Sequence, residues 1–366
     1  MGAPLKDGAN QEAAMTVIGL DLHKRYITAC AMTEDGEILA EQRRVPPDMA
    51  ALDAFFAGLP APLTVAMEAT LYWAWLHDQL VVRGITVLAA HAYEVKLIWQ
   101  ARAKTDPIDA RKLAELARTH LLPTVWVASP ELRGQRRLLR GRAYLVHLRT
   151  SVKNRIHGHL MAENCRTAVT DVYGKAGRAW LTALALPAAT RLQVDLLLEV
   201  IDALNVRIKR MDREVNRLAR HNAVAEQLQT VPGIGVFGAM LMLAEIGSIA
   251  RFRSSHELAA YAGLVPSTHS SGGKTTHGKV GRAGNRWLKW ILIEAVQALK
   301  LAPGPIGAQY QRLLRAKGKQ KATVAAARKL CCYLFWMLKE GWTYEQWLVQ
   351  HHKLEVRPTQ RLGTAA

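Results

Sequence analysis

The chain has 366 residues, half of them hydrophobic, and its 49 Lys and Arg against 30 Asp and Glu give a formal net charge of +19. A surplus of that size calls for a polyanionic partner, nucleic acid first and an anionic membrane second, while the apolar content and length exclude a disordered chain and suit two or three domains. The longest nearly apolar stretch, Val231 to Ala244, carries Pro232 and three glycines and is shorter than the roughly 20 residues a spanning helix needs.

The opening residues hold no apolar signal core, and Lys6 stands where a myristoylation signal needs Ser or Thr. The four cysteines form no CxxC pair, so reduced thiols and a cytoplasmic location are expected. From Thr16 to Val45 three strand-like runs, VIGLDL, YITACAM and EILAEQRRV, predict a meander. A helix over Met49 to Gly58, a strand LTVAME, a helix from Leu71 to Arg83, a strand ITVLAA and helical segments from Ala92 to Leu121 predict a mixed α/β sheet.

From Pro130 onward the strand signals stop. Between Glu131 and Arg155 lie Arg133, Arg136, Arg137, Arg140, Arg142, Arg149, Lys153 and Arg155 against one acid, which points to nucleic-acid backbone contact over a merely solvated face. A second helical block, Arg191 to Arg220, has near-heptad apolar spacing and predicts a coiled-coil or helical-hairpin arm that sets subunit pairing. In TVPGIG the glycine turn is either a helix-hairpin-helix whose amides take a DNA phosphate or only a tight helix-helix turn.

Two constellations carry chemistry. Asp21 sits inside the apolar strand VIGLDLH and Glu68 closes LTVAME, where strands normally bury Val or Ile. Asp106 and Asp109, three apart in KTDPIDARKLAEL, share a helix face, although an N-cap before Pro107 and a first-turn acid also account for that spacing. Four carboxylates at one sheet edge would repel unless cations neutralised them, and Mg²⁺ or Mn²⁺ prefers such oxygen ligands. His23 beside them is read as a local hydrogen-bonder.

In AGLVPSTHSSGGKTTHGKVGRAGNRWLKW, the residues Ser270, Ser271, Gly272 and Gly273 read as a flexible loop followed by Lys274, Lys279, Arg282, Arg286 and Lys289. Either serine could attack a DNA phosphate there, with glycines leaving room and cations offsetting charge on phosphorus. A Walker-type loop does not fit, since SGGKTT lacks the upstream glycine of GxxxxGK[ST].

Taken in order, GLDLHK, AMEAT, KTDPIDARKLAEL, VPGIG and AGLVPSTHSSGGK with GKVGRAGNRWLKW resemble the DEDD-plus-serine insertion-sequence transposases, the family that includes the Piv invertase. The resemblance implies a ribonuclease H-like (Holliday-junction-resolvase-like) α/β domain over residues 15–128 that binds Mg²⁺ or Mn²⁺ through Asp21, Glu68, Asp106 and Asp109. The charge run and heptad spacing put a basic helical coiled-coil region over 129–223, and the ends read as disordered tails at 1–14 and 351–366. The resemblance further implies a mainly α transposase domain over 224–350. Its nucleophile, five residues after Pro266 and just before glycine, falls on Ser271. DNA, a structured guide RNA and further copies of the chain are the implied partners, in the bacterial cytoplasm at the nucleoid and with no membrane. The expected nucleic-acid contacts are Arg133, Arg136, Arg137, Arg140, Lys153, Arg155, Lys274, Lys279, Arg282 and Arg286. Two other classes stay open: a metal-dependent junction nuclease without a serine nucleophile, and a non-catalytic nucleic-acid scaffold.

Overall fold

The computed structural model describes residues 15–98, 106–167, 169–271, 274–280 and 284–352, with the side chains of Asp106, residues 268–271 and 274–277, Lys279 and His352 outside that description. Residues 1–14 and 353–366, which make up nearly all of the two expected tails, and Arg282 therefore lie outside the described residues. By contacts the chain divides into two compact units, Met1–Pro130 and Glu131–Ala366.

In the first unit β1 (Thr16–Leu22), β2 (Ile27–Met32) and β3 (Ile38–Val45) form the expected antiparallel meander, and β4 (Leu63–Glu68) and β5 (Thr86–Ala90) add parallel to β1, giving the order β3-β2-β1-β4-β5. The helices between them are α1 (Met49–Phe56), α2 (Trp73–Val82), α3 (Ala92–Ile98) and α4 (Asp106–Arg118). Asp48 starts α1 by accepting from the Ala51 amide at 2.9 Å, and the Arg83 guanidinium at the end of α2 donates to both oxygens of Asp53 at 2.8 and 3.0 Å.

Because side chains alternate along a strand, β1 divides its residues between two cores. Ile18, Leu20 and Leu22 pack with Leu52, Phe56, Leu76 and Leu80 of α1 and α2. On the other face Val17 packs with Leu113, Leu116 and Ala117 of α4, and Gly19 lies against that helix's backbone. A Cβ at Gly19 would come within 1.9 Å of the Ala110 carbonyl oxygen and 2.6 Å of the Ala114 nitrogen. Only glycine permits this approach.

The second unit opens with α5 (Pro130–Ala162), which at 33 residues is ~50 Å long. With α6 (Lys175–Ala183) and α7 (Ala188–Ala219) it builds an arm around Ile156, Leu160, Val172, Leu181, Val194 and Ile201. Arg142 pairs with Asp212 and Arg149 with Asn205, both at 2.8 Å, so each step of seven residues up α5 is matched by seven down α7. That is an antiparallel helix pair in heptad register.

A second core is built by α8 (Ala223–Gln229), α9 (Val236–Ile246), α10 (Ser255–Tyr261), α11 (Arg286–Leu299), α12 (Pro305–Lys317), α13 (Lys319–Glu340) and α14 (Tyr344–His352), with Leu241, Leu292, Leu334 and Phe335 at its centre. In the PGIG turn between α8 and α9, Gly233 takes φ +87°, and a Cβ there would meet the Ala298 side chain at 2.7 Å. This glycine therefore serves a close helix-helix approach.

One expectation is corrected here. Strands do not stop at Pro130, and the serines do not sit on an irregular loop: β6 (Pro266–Ser271) and β7 (Lys274–Val280) pair as an antiparallel hairpin, with Ser270 opposite Thr275 and Ser271 opposite Lys274. The physical reason is the β-branched run Thr268, Thr275, Thr276 and Val280 on either side of Gly272-Gly273, a strong hairpin connector, which outweighs the small polar residues between. Among the described residues no helix is long and apolar enough to cross a membrane.

Replacing Gly19 with Ala is expected to lower the stability of the full chain by about 1–3 kcal/mol, because Cβ must push backbone rather than a side chain. Denaturant titration followed by circular dichroism measures it; an unchanged midpoint would contradict the contact.

Candidate active site

The sheet edge gathers acids for a geometric reason. Asp21 follows Leu20 and Glu68 follows Met67, and Leu20 and Met67 are register partners on the parallel strands β1 and β4, so the two acids occupy neighbouring positions near the strands' C-terminal ends. Asp21 is the one half-buried residue of β1, and Glu68 is half-buried after the four buried residues Thr64 to Met67 of β4. Asp21 lies on the same strand face as Val17 and Gly19, and Glu68 on the same face as Ala66, the side covered by α4. As β1 advances from Val17 to Gly19, its contacts on α4 retreat from Ala117 and Leu113 to Ala110. The first turn of α4, with Asp106 and Asp109, is therefore brought toward the end of the strand that carries Asp21.

Around these acids the Asp21 carboxylate meets the His23 Nε2 at 2.8 Å, and the ring of His23 stacks on Tyr26 with centroids 4.7 Å apart. The Tyr72 hydroxyl donates to the His23 carbonyl at 2.9 Å; burial and then the charge of Asp21 push its phenol above the usual range. On the neighbouring strand Cys30 is held as a thiol, pushed up to about 12 by burial and then by Glu41, which itself pairs with Arg111 at 2.7 Å. His23 thus has the local hydrogen-bonding place expected of it.

In the second unit, Ser271 ends β6 and Lys274 begins β7; their side chains and that of Lys279 lie outside the described residues, as does the whole of Arg282. Arg286 is exposed in the first turn of α11. On α5, Arg137 and Arg155 are exposed, Arg133 is half-buried, and the Lys153 ammonium lies 4.4 Å from the Tyr173 ring centroid.

Arg136 and Arg140 differ from the solvated basic face expected of them. Both turn inward to Glu245, a carboxylate with no exposed surface in the apolar helix α9. Arg140 donates through Nε and Nη2 to its two oxygens at 2.8 and 2.7 Å, a bidentate pair; Arg136 donates to the carbonyls of Ala244 and Glu245 at 2.7 and 3.2 Å. A buried carboxylate needs such cations, and this one takes them from α5. Asn285 joins the same group: its Nδ2 donates to Glu245 at 2.7 Å, while its Oδ1 accepts from the Trp287 and Leu288 amides at 3.0 Å and so starts α11. Glu245 thereby ties α5 to α9 and to the helix that follows the serine hairpin. Sequence reasoning passed over it, although a lone Glu in VFGAMLMLAEI was a signal.

Residues 18–163 match the family model DEDD_Tnp_IS110, described as a transposase, and residues 225–311 match that of the transposase IS116/IS110/IS902 family. A Pseudomonas aeruginosa protein named "Probable family 20 transposase" is 30% identical over 77% of this chain and 83% of its own length. The "Transposase for insertion sequence element IS1111A" of Coxiella burnetii is 25% identical over 94% of this chain and 99% of its own, and the corresponding IS1328 protein of Yersinia enterocolitica 25% over 91% and 99%. The chain belongs to the IS116/IS110/IS902 transposase family. It is an insertion-sequence transposase, an enzyme that acts on DNA by phosphoryl transfer.

A DEDD transposase domain implies a divalent metal. The donors at the sheet edge suit one, being carboxylate oxygens on adjacent strand ends that keep partial access to solvent. Among the described residues no three acids, histidines or cysteines converge closely enough to hold an ion unaided, and the Asp106 side chain is not among those described.

For the buried pair, Arg140→Ala is expected to cost about 3 kcal/mol, the lower end for a broken buried pair because the Arg140 side chain is 38% exposed. The double variant Arg140→Met, Glu245→Leu should lose less than Arg140→Ala alone, since the buried carboxylate is removed with its bidentate partner and Arg136 keeps its two backbone carbonyl acceptors. Chemical denaturation of the two purified variants makes the comparison, and a larger loss in the double variant would refute it.

Proposed function

We propose that this transposase cuts and rejoins DNA through a transient phosphoserine link at Ser271, assisted by divalent metal, Mg²⁺ or Mn²⁺, at Asp21, Glu68, Asp106 and Asp109. The observation that carries the reading is the register of β1 and β4, which sets Asp21 beside Glu68 on the face covered by α4. On this reading the first unit is a ribonuclease H-like domain. When bound, the metal supplies Lewis-acid stabilisation of charge on the phosphate oxygens.

The rest follows from the chain's own groups. The Ser271 hydroxyl attacks phosphorus; its Oγ–P bond forms as one bridging P–O bond of the DNA breaks, the hydroxyl proton passes to solvent, and the departing DNA oxygen takes up a proton. Attack by a DNA hydroxyl on the phosphoserine reverses these changes and rejoins the strand, so no external energy source is needed. Lys274, Lys279, Arg282 and Arg286, around or just after the hairpin, supply positive charge for the phosphates. Arg133, Arg137, Lys153 and Arg155 on α5 serve backbone contact with DNA or a structured guide RNA, while Arg136 and Arg140 are reassigned to the buried Glu245. The seven-residue register of α5 and α7 suits an arm through which copies of the chain assemble in the bacterial cytoplasm.

The test incubates purified protein with element-end DNA, the RNA transcribed beside it and Mg²⁺, then separates denatured protein-DNA adducts by electrophoresis. Wild type and Ser270→Ala should form the adduct; Ser271→Ala and Asp21→Ala should not. Metal-dependent cutting by Ser271→Ala with no adduct in wild type would replace this reading with a nuclease.

A further inference from the structure

We infer that a cleft between α5 and α11 is a stacking subsite for an unpaired base of a single-stranded nucleic acid. The inference deepens the reading above and rests on it for the presence of nucleic acid. The cleft has a volume of about 700 Å³ and is lined chiefly by Tyr144 and His147 of α5 and by Arg286, Trp287, Trp290 and Glu294 of α11. Spacings of three and four place Trp287, Trp290 and Glu294 on one face of their helix, and Ala143, His147 and Thr150 on the facing side of α5.

Two aromatic planes are left in water there: Tyr144 is 58% exposed and Trp290 36%. Trp290 has two further rings beside it, Trp287 at 6.1 Å and 80° and Phe237 at 6.4 Å and 63°. Guanidinium groups alternate with the rings. Those of Arg140 and Arg286 lie 5.8 and 5.6 Å from the Trp287 centroid, and that of Arg142 lies 4.4 Å from Phe237. Arg140 and Arg142 are held in place by Glu245 and Asp212.

This combination selects its occupant. An apolar ligand would leave the Arg286 and Glu294 charges of the lining without partners in the filled cleft. A nucleobase offers a flat face to an aromatic ring and attaches it to a phosphate, which the exposed Arg286 can meet; the Glu294 carboxylate can accept from a base N–H, such as the N3–H of thymine or uracil. Duplex bases keep their faces inside the stack, so the occupant is unpaired, whether from displaced DNA or from an RNA loop.

The experiment measures fluorescence anisotropy of labelled oligothymidylate, oligouridylate and a DNA duplex of equal length, titrated with the full chain and with Tyr144→Ala, Trp290→Ala and Trp290→Phe. Each alanine variant should bind at least one single strand roughly 5- to 150-fold more weakly, the loss expected of one stacked base. Duplex binding should stay within about twofold and Trp290→Phe should restore most of the affinity, because phosphate contacts and stacking are separate contributions. Whichever single strand responds identifies the source of the base, DNA or RNA. Equal losses on single strand and duplex, or unchanged single-strand binding in both alanine variants, would overturn the subsite; unchanged binding with altered sedimentation of Trp290→Ala would assign the cleft to chain association instead. If the wild type binds none of the three probes, the nucleic-acid reading fails first.

Discussion

The carboxylate edge depends on a place where backbone touches backbone. With no side chain at Gly19, α4 lies directly on β1, and the same strand face that carries Gly19 carries Asp21 one pleat further on. A helix held farther off by a Cβ would take its first turn, with Asp106 and Asp109, away from the strand ends. The parallel pairing of β1 and β4 then fixes the remaining neighbour, because register on a sheet admits no half-steps. A site made of flexible acidic side chains is in this way referred to rigid parts of the fold.

The second unit handles charge differently. Its basic helix α5 is less cationic on its surface than its composition suggests, since Arg136 and Arg140 turn to Glu245 and Arg142 to Asp212. What remains at the surface, including Arg137, Arg155 and Arg286, is spread along two helices rather than concentrated on one. The inward arginines order the helices, and two of them also lie within 6 Å of ring centroids at the cleft, Arg140 of Trp287 and Arg142 of Phe237.

Much of the first unit was legible in the sequence. The meander and the later strands follow from alternating or continuous apolar runs with turn residues between, and Asp21 and Glu68 stood out because an acid in such a run must have a reason. What could not be read were relations between distant segments. Glu245 meets Arg140 across 105 positions, and nothing local distinguishes an arginine that faces water from one that faces a buried acid. The hairpin at 266–280 was missed because its small polar residues mimic a loop, whereas its threonines are the better guide. Tyr144 and Trp290 carried no signal either: an aromatic residue at helical spacing is usually core, and only the fold leaves these two exposed.

The sealed position of Glu245 also bears on how this element's protein can drift as copies accumulate changes. Its bidentate partner Arg140 lies on α5 and its amide donor Asn285 caps α11, so a change at 245 alone strands the Arg140 charge and a change at 140 alone strands the carboxylate. Positions 140, 245 and 285 are therefore expected to change together or not at all in diverging lineages, a correlated triplet imposed by burial and independent of whatever DNA the element inhabits.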